Sequence, residues 1–332
     1  MTPARADKDA PTWLVWTALW TVYIVWGSTY LAIRVAVETM PPLLMAGVRF
    51  LIAGSIVYLV LRARKGKGGV AVTRHEVGAS ALIGTLLLLG GNGLVTIAEE
   101  RVPSGVAALL IAAVPLWVVV WRFFGHDRVS AGTLFGVLAG FAGVAVLVMP
   151  GGDVGGGNVS GMLMVVTASA LWATGSFFAK RVPLPSDPFL STAMQMLTGG
   201  AVMTLAGVAR GELDAVRFSE FSTASILSFL YLIFVGSLVA FTAYVWLLQH
   251  APISKVATYA YVNPVVAIFL GWLILDERIT TVIVIGATVI VVSVAAIVRM
   301  ESNAQRRIAQ PDTPGPAGDP DLGLDDTELQ TA

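Results

Sequence analysis

The chain has 332 residues, 56% hydrophobic and only 13% charged, against about 25% charged in an ordinary soluble domain. So few charges cannot clothe a water-facing surface, and the apolar residues arrive in blocks of about 20, the length a helix needs to cross a bilayer. Lys plus Arg equal Asp plus Glu at 21 each, so no basic excess points to nucleic acid, and the absence of cysteine excludes thiolate metal sites, iron–sulfur clusters and disulfides.

The opening residues 1–12, MTPARADKDAPT, are too polar for a signal peptide and read as a tail. Apolar runs between charged and Pro/Gly punctuation then predict ten spans, at roughly 13–35, 42–61, 78–98, 103–121, 131–149, 160–179, 188–208, 224–248, 254–274 and 281–299. The segment 151–159, which includes GGDVGGGN, reads as a flexible linker. Residues 300–332 are rich in Pro, Gly and acid, lack an apolar face and read as a disordered tail. Short alternating strands, the mark of a membrane β-barrel, are not the pattern. The expected fold is an all-α polytopic membrane protein.

Charge orients this stack. With the N-terminus placed in the cytoplasm, fifteen Lys and Arg fall on the cytoplasmic side and five (Arg34, Arg101, Arg210, Arg217 and Arg278) outside, while Arg49 lies within a span. The positive-inside rule therefore predicts both termini in the cytoplasm.

The chain also repeats itself. A shift of 146 residues places Trp26 on Trp172, Arg34 on Lys180, Pro42 on Pro188, Arg49 on Gln195 and Gly54 on Gly200. At 149, Pro103 meets Pro252 and Pro115 meets Pro264; at 150, Asp127-Arg128-Val129-Ser130 meets Glu277-Arg278-Ile279-Thr280. Two units follow, 13–150 and 160–299, each with five predicted spans. An odd number of spans inserts the second unit upside down relative to the first. Inverted repeats recur in secondary transporters, with the site between the halves near the bilayer midplane. Plain duplication giving an inert helical bundle is the competing reading.

Three stretches carry a family likeness: WGSTYLAIRVAVETMPPLLMAGVRF, GLVTIAEERVPSGVAALLIAAVP and ISKVATYAYVNPVVAIFLGWLILDERIT. Over residues 14–299 the chain resembles the EamA-type branch of the drug/metabolite transporter superfamily and, within it, a group of bacterial inner-membrane transporters. That resemblance implies ten helices, a central cavity between two halves, and alternating-access movement of amino acids or related metabolites.

Polar residues inside predicted spans are the candidate site. Arg49 lies well inside the second span, where an arginine must face protein or a wet cavity. It is either an anchor for a carboxylate or phosphate, through its planar donor fork, or a pin on the carbonyls of neighbouring helices. Asn92 and Thr96 share one face of the third span and line either a cavity or a helix seam. Glu99 continues that face, but it and Glu100 fall near the outer mouth, where solvation is the simpler explanation. Trp26 and Tyr30 on the first span, and their repeat mates Trp172 and Ser176 on the sixth, suit opposite walls of one cavity; an interfacial aromatic belt is the alternative. Pro115 and Pro264 each remove an intrahelical hydrogen bond, freeing a carbonyl for a ligand or simply kinking the helix. Around Pro264, Tyr259 and Asn263 add polar tips.

His75, His126 and His250 fall at predicted span ends, so no buried metal cluster is expected. No P-loop occurs, which argues against ATP hydrolysis in this chain. The sequence thus predicts a secondary transporter, an exporter of a small metabolite, with no cofactor and no nucleic-acid partner. Its expected partners are the substrate and membrane lipid, and monomer and homodimer both stay open. A small-molecule channel or a non-transporting scaffold is the alternative, and an intramembrane enzyme would need a catalytic pair that is not seen.

Overall fold

The computed structural model describes residues 11–126 and 129–309. The tail segments 1–10 and 310–332, and Asp127-Arg128 of the repeated turn, lie outside the described residues. Among the described residues ten main helices follow one another: α1 Thr12–Ala36, α2 Pro42–Lys65, α3 Arg74–Ala98, α4 Ser104–Phe124, α5 Ala131–Val148, α6 Val159–Ala179, α7 Pro188–Ala209, α8 Thr223–His250, α9 Tyr259–Leu275 and α10 Thr281–Ala309. Nine of them are long and apolar enough to cross a membrane, and α9 is a shorter apolar helix of 17 residues preceded by a one-turn helix, Ile253–Val256. Helix α10 runs on to Ala309, so residues 300–309, expected to open a disordered tail, are helical instead.

Helix starts show local chemistry. Thr73 and Glu76 form a capping box at α3, with Glu76 N–H donating to Thr73 Oγ1 at 3.2 Å and Thr73 N–H donating to Glu76 Oε2 at 2.7 Å. Ser130, Asn158, Asp187 and Ser222 cap α5, α6, α7 and α8 in the usual way. Helices α2 and α4 begin behind Pro41 and Pro103, which offer no side-chain acceptor. Distant carboxylates serve them instead. Glu212 Oε2 accepts from the N–H groups of Leu43 and Leu44, both at 2.9 Å, and Glu277 accepts from Ser104 N–H at 2.7 Å and Gly105 N–H at 3.1 Å. Acceptors of negative charge at a helix N-terminus also meet the positive end of its dipole.

These contacts gather at one end of the bundle, called here the Arg34 end, together with the Asp153–Arg278 pair and the bond from Ser222 N–H to Thr39 Oγ1. At the opposite, Lys65 end, Lys65 pairs with Asp187 and Arg122 with Glu301. Large apolar side chains such as Phe135, Leu205 and Val292 lie exposed on the flanks, as expected where the solvent is lipid.

Packing follows a recurring scheme. Helix α1 lies against α8 and α9, and α6 lies against α3 and α4; α2 pairs with α7, and α5 with α10. Lipid supplies no hydrophobic drive between helices, so close approach through small residues must supply the attraction. The tightest approach of one helix backbone to another is Gly84 of α3 against Gly199 of α7. A Cβ on Gly199 would stand 2.6 Å from the Gly84 carbonyl oxygen, and a Cβ on Gly84 would stand 2.6 Å from the Gln195 carbonyl oxygen. Backbone cannot move aside as a side chain can. Gly199→Ala is therefore expected to lower the denaturation free energy in detergent by about 1–3 kcal/mol. Gly78→Ala, on an exposed part of α3 with nothing within 4 Å, is expected to leave stability unchanged or raise it by up to about 1 kcal/mol. Equal thermal-denaturation curves for the two variants would contradict this packing.

Candidate functional site

Helices α3 and α8 each change pitch midway. Thr85–Gly93 and Leu232–Val239 are π-helical, with bonds from i to i+5 rather than i+4. The two segments begin 147 residues apart, close to the spacing of the sequence repeat. Gly90, Gly91 and Gly93 lie in the first and Gly236 in the second, so both offer bare backbone to a neighbour.

Each bare segment receives a tryptophan from across the bundle. Trp26 of α1 donates its indole N–H to the Gly236 carbonyl at 3.3 Å. Trp172 of α6 packs on Gly91, where a Cβ would stand 2.5 Å from Trp172 Cε3. Around Trp26 the ring of Tyr244 lies 4.9 Å away, Tyr259 5.3 Å and Phe241 5.8 Å, tilted or edge-on. Such geometries satisfy the ring quadrupoles. One turn earlier on α1, the Tyr23 hydroxyl bonds that of Thr258, and Ser28 Oγ lies 2.6 Å from the Tyr231 hydroxyl. Asn263 is buried on α9; with its amide oriented to match its neighbours, the nitrogen donates to the carbonyls of Tyr23 at 3.3 Å and Tyr259 at 3.2 Å.

Arg49 reaches the same region from α2. It is buried, its Nε donates to Ser237 Oγ at 2.9 Å, and its guanidinium stands 4.7 Å over the Phe50 ring. Nη1 has no hydrogen-bond partner among the described residues. The missing side chain of Gly236 makes this possible: a Cβ there would lie 3.1 Å from Thr29 Cγ2 and 3.5 Å from Arg49 Nη2. A buried guanidinium with spare donors beside aromatic walls is chemically suited to a carboxylate.

The sequence-predicted residues fall into two groups. Trp26, Arg49, Tyr259 and Asn263 meet around the π segment of α8. Asn92, Thr96 and Trp172 meet around that of α3, where Thr96 Oγ1 donates to the Asn92 carbonyl at 2.8 Å. Tyr30 is packed on the core of α3, α4 and α6. Ser176 is half-buried on α6 and makes no hydrogen bond that ties it to either group. Helix α4 is interrupted at Ala112-Ala113, and Pro115 stands in the first turn of the second piece. Pro264 stands inside α9, and the interruption of that span comes earlier, at Ala257-Thr258.

Glu99 corrects a sequence expectation. It was expected at a solvated mouth, but its side chain is fully buried. Its neighbour Glu100 does line a cavity of about 500 Å³ at the Arg34 end, together with Glu38, Arg210, Glu212 and Glu220. Ser237, Gly236, Tyr244 and Phe241 were missed. A π segment displaces the register, so a 3.6-residue reading of α8 puts its polar positions on the wrong face. The glycine within an otherwise bulky run was the available signal.

Arg49 yields a direct prediction. A carboxylate-bearing metabolite at about 100 times its Kd should stabilise the wild-type protein against denaturation by about 2.7 kcal/mol. Arg49→Lys should lose most of this stabilisation, because an ammonium lacks the planar fork that meets both carboxylate oxygens side by side. Equal stabilisation of both proteins would make Arg49 a structural pin only.

Comparison with known proteins agrees with this architecture. The model of the EamA-like transporter family matches the chain twice, over residues 13–149 and 159–299. The inner membrane transporter YedA of Escherichia coli strain K12 is 39% identical over 285 residues, covering 84% of this chain and 89% of its own. A probable amino-acid metabolite efflux pump of the same strain is 26% identical over 293 residues, covering 81% of this chain and 89% of its own. A solved crystal structure, 19% identical, shares the fold with a TM-score of 0.59 over 88% of this chain and 98% of its own. The chain is a multi-pass inner-membrane protein, and it belongs to the EamA-like transporter family.

Proposed function

We propose that the chain is a secondary transporter that exports a small metabolite, an amino acid or a related compound, by alternating access between two inverted five-helix repeats. One observation carries this reading: Trp26 and Trp172, 146 residues apart, each reach the π segment of the other half, Trp26 by a hydrogen bond to the Gly236 carbonyl and Trp172 by packing on Gly91. Exchanging the conformations of two such halves turns a site open on one side into a site open on the other. The packing of α1 on α8 and α9, mirrored by α6 on α3 and α4, supports the same relation. The double family match supports the duplication, and the efflux pump among the relatives supports an amino-acid-like cargo and the outward direction.

On this reading the substrate lies between the two tryptophans, its carboxylate on Arg49 and its body against Trp26, Tyr259 and Trp172. Asn92, Thr96, Tyr30, Ser176 and Asn263 supply polar edges. The charge bias puts the Arg34 end outside, so the cavity beside Glu100 is the outer vestibule. No P-loop is present and no step of ATP hydrolysis is invoked.

The test is flux in reconstituted vesicles over a panel of labelled L-amino acids. Saturable uptake, accelerated by unlabelled substrate on the far side, is expected of a carrier and not of a channel. Trp26→Ala and Trp172→Ala should each reduce flux at least about tenfold, the equivalent of about 1.4 kcal/mol of lost stabilisation. Wild-type protein that moves no member of the panel, or flux that stays linear with concentration, would overturn the reading.

A further inference from the structure

Glu99 ends α3 at the Arg34 end, and the mechanism above leaves it unused. Its side chain is fully buried, and neither carboxylate oxygen has a hydrogen-bond partner among the described residues. A cation is at hand but turned elsewhere. Arg34 of α1 donates its Nη1 hydrogen to the Glu99 backbone carbonyl at 2.7 Å.

The other groups around it are accounted for. Glu277, behind α9, has its two oxygens on the Ser104 and Gly105 N–H groups and so is committed to the start of α4. Tyr30 of α1 faces Glu99, and Arg278 is held by Asp153 at 3.7 Å. Arg49 of α2 has its Nε on Ser237 of α8, and α6 carries no titratable residue along its length. Glu100 and Arg101 flank it in sequence, Arg101 exposed and Glu100 on the cavity wall. Burial first, then the charge of Glu277, push the Glu99 carboxyl well above the usual carboxylate range, with Arg34 pulling the other way. A buried carboxyl without partners is held neutral by the cost of stripping water from its charge.

The helix that brings Arg34 to Glu99 also carries the substrate-facing residues: Trp26, Tyr30 and Arg34 follow one another at helical spacing on α1, and the rings of Tyr244 and Tyr259, 5.7 Å apart and edge-on, stand beside Trp26.

We propose that the Glu99 carboxyl is a proton-binding site whose loading and unloading couple transport to the proton gradient; this rests on the transporter reading above. Release breaks the O–H bond and leaves the electron pair on the carboxylate. The site loads its proton from water in the outer cavity that Glu100 lines and, once the halves have exchanged, releases it toward the Lys65 end. Arg34 then turns its guanidinium from the Glu99 carbonyl to the carboxylate, an ion pair that compensates the new charge. Rebinding of a proton frees Arg34 and restores the neutral, unpaired state.

Two measurements test this separately from transport itself. Infrared spectra of purified protein at pH 7 should show the C=O stretch of a protonated carboxyl, shifted in heavy water, that is absent from Glu99→Gln and retained in Glu277→Gln. Should Glu99→Gln not fold, Glu99→Asp must displace the same band. In wild-type vesicles a gradient of one pH unit should support about tenfold accumulation of a transported L-amino acid, since one unit is a factor of ten in proton activity. Flux in Glu99→Gln should no longer respond to the pH gradient. A missing band at pH 7, or one that survives Glu99→Gln, overturns the proton site. Wild-type flux that ignores the pH gradient, or follows a sodium gradient instead, overturns the coupling. Absence of any flux from the panel overturns the transporter reading, and the infrared band then decides the proton site alone.

Discussion

A tryptophan ring laid on a stretch of helix that has given up both its side chain and its ordinary pitch is the contact on which the rest of the structure depends. At Gly91 the absent Cβ admits the ring of Trp172, and at Gly236 the backbone carbonyl accepts from the Trp26 indole N–H. Within the second π segment Ser237 stands against the Arg49 Nε. A side chain at Gly236 would meet Thr29 and crowd Arg49 at once. The place of the Arg49 guanidinium therefore depends on the bare backbone at Gly236.

Lipid sets the second constraint, because buried polar groups cannot turn to water. Helices that start behind proline lack their own cap, and Glu212 and Glu277 supply it across the chain, on α2 and α4. Both carboxylates come from the second half and both helices from the first, so the same bonds that complete the helix starts also clasp the halves at the Arg34 end. The glycine contacts of α7 with α2 and α3 hold the flank. Between these fixed points the aromatic wall around Trp26 is joined mainly by ring contacts and single hydrogen bonds, the kind of packing that two halves can exchange.

Much of this was legible in the sequence, for definable reasons. Hydropathy and charge placed the spans within a few residues of their observed ends, because length in lipid is fixed by bilayer thickness. Trp26, Arg49, Tyr259 and Asn263 stand out in the sequence as polar or aromatic residues within spans; in the structure Tyr259 lies beside both Trp26 and Asn263, and Arg49 bonds Ser237, next to the Gly236 that Trp26 meets. Their partners on α8 were not legible, since a change of helical pitch leaves no mark in a periodicity read at 3.6 residues. Glu99 was misjudged for a related reason: nearness to a predicted span end says nothing of whether a loop folds over it. The long-range caps were invisible because Glu212 and Glu277 are separated from the helices they serve by more than 160 residues. Helix α10 outran its expected end because a polar segment can continue a helix already nucleated in the membrane.

The exchange of two halves is most directly tested by distances measured at both ends of the bundle at once. The chain has no cysteine, so spin labels can be placed at will. One pair, Glu38→Cys with Glu220→Cys, spans the cavity at the Arg34 end; a second, Arg64→Cys with His250→Cys, spans the Lys65 end. Electron–electron resonance in lipid nanodiscs, with and without an L-amino acid that the vesicles transport, should show one distance shortening while the other lengthens. Two distances that stay fixed, or that change in the same direction, would contradict alternating access between inverted halves.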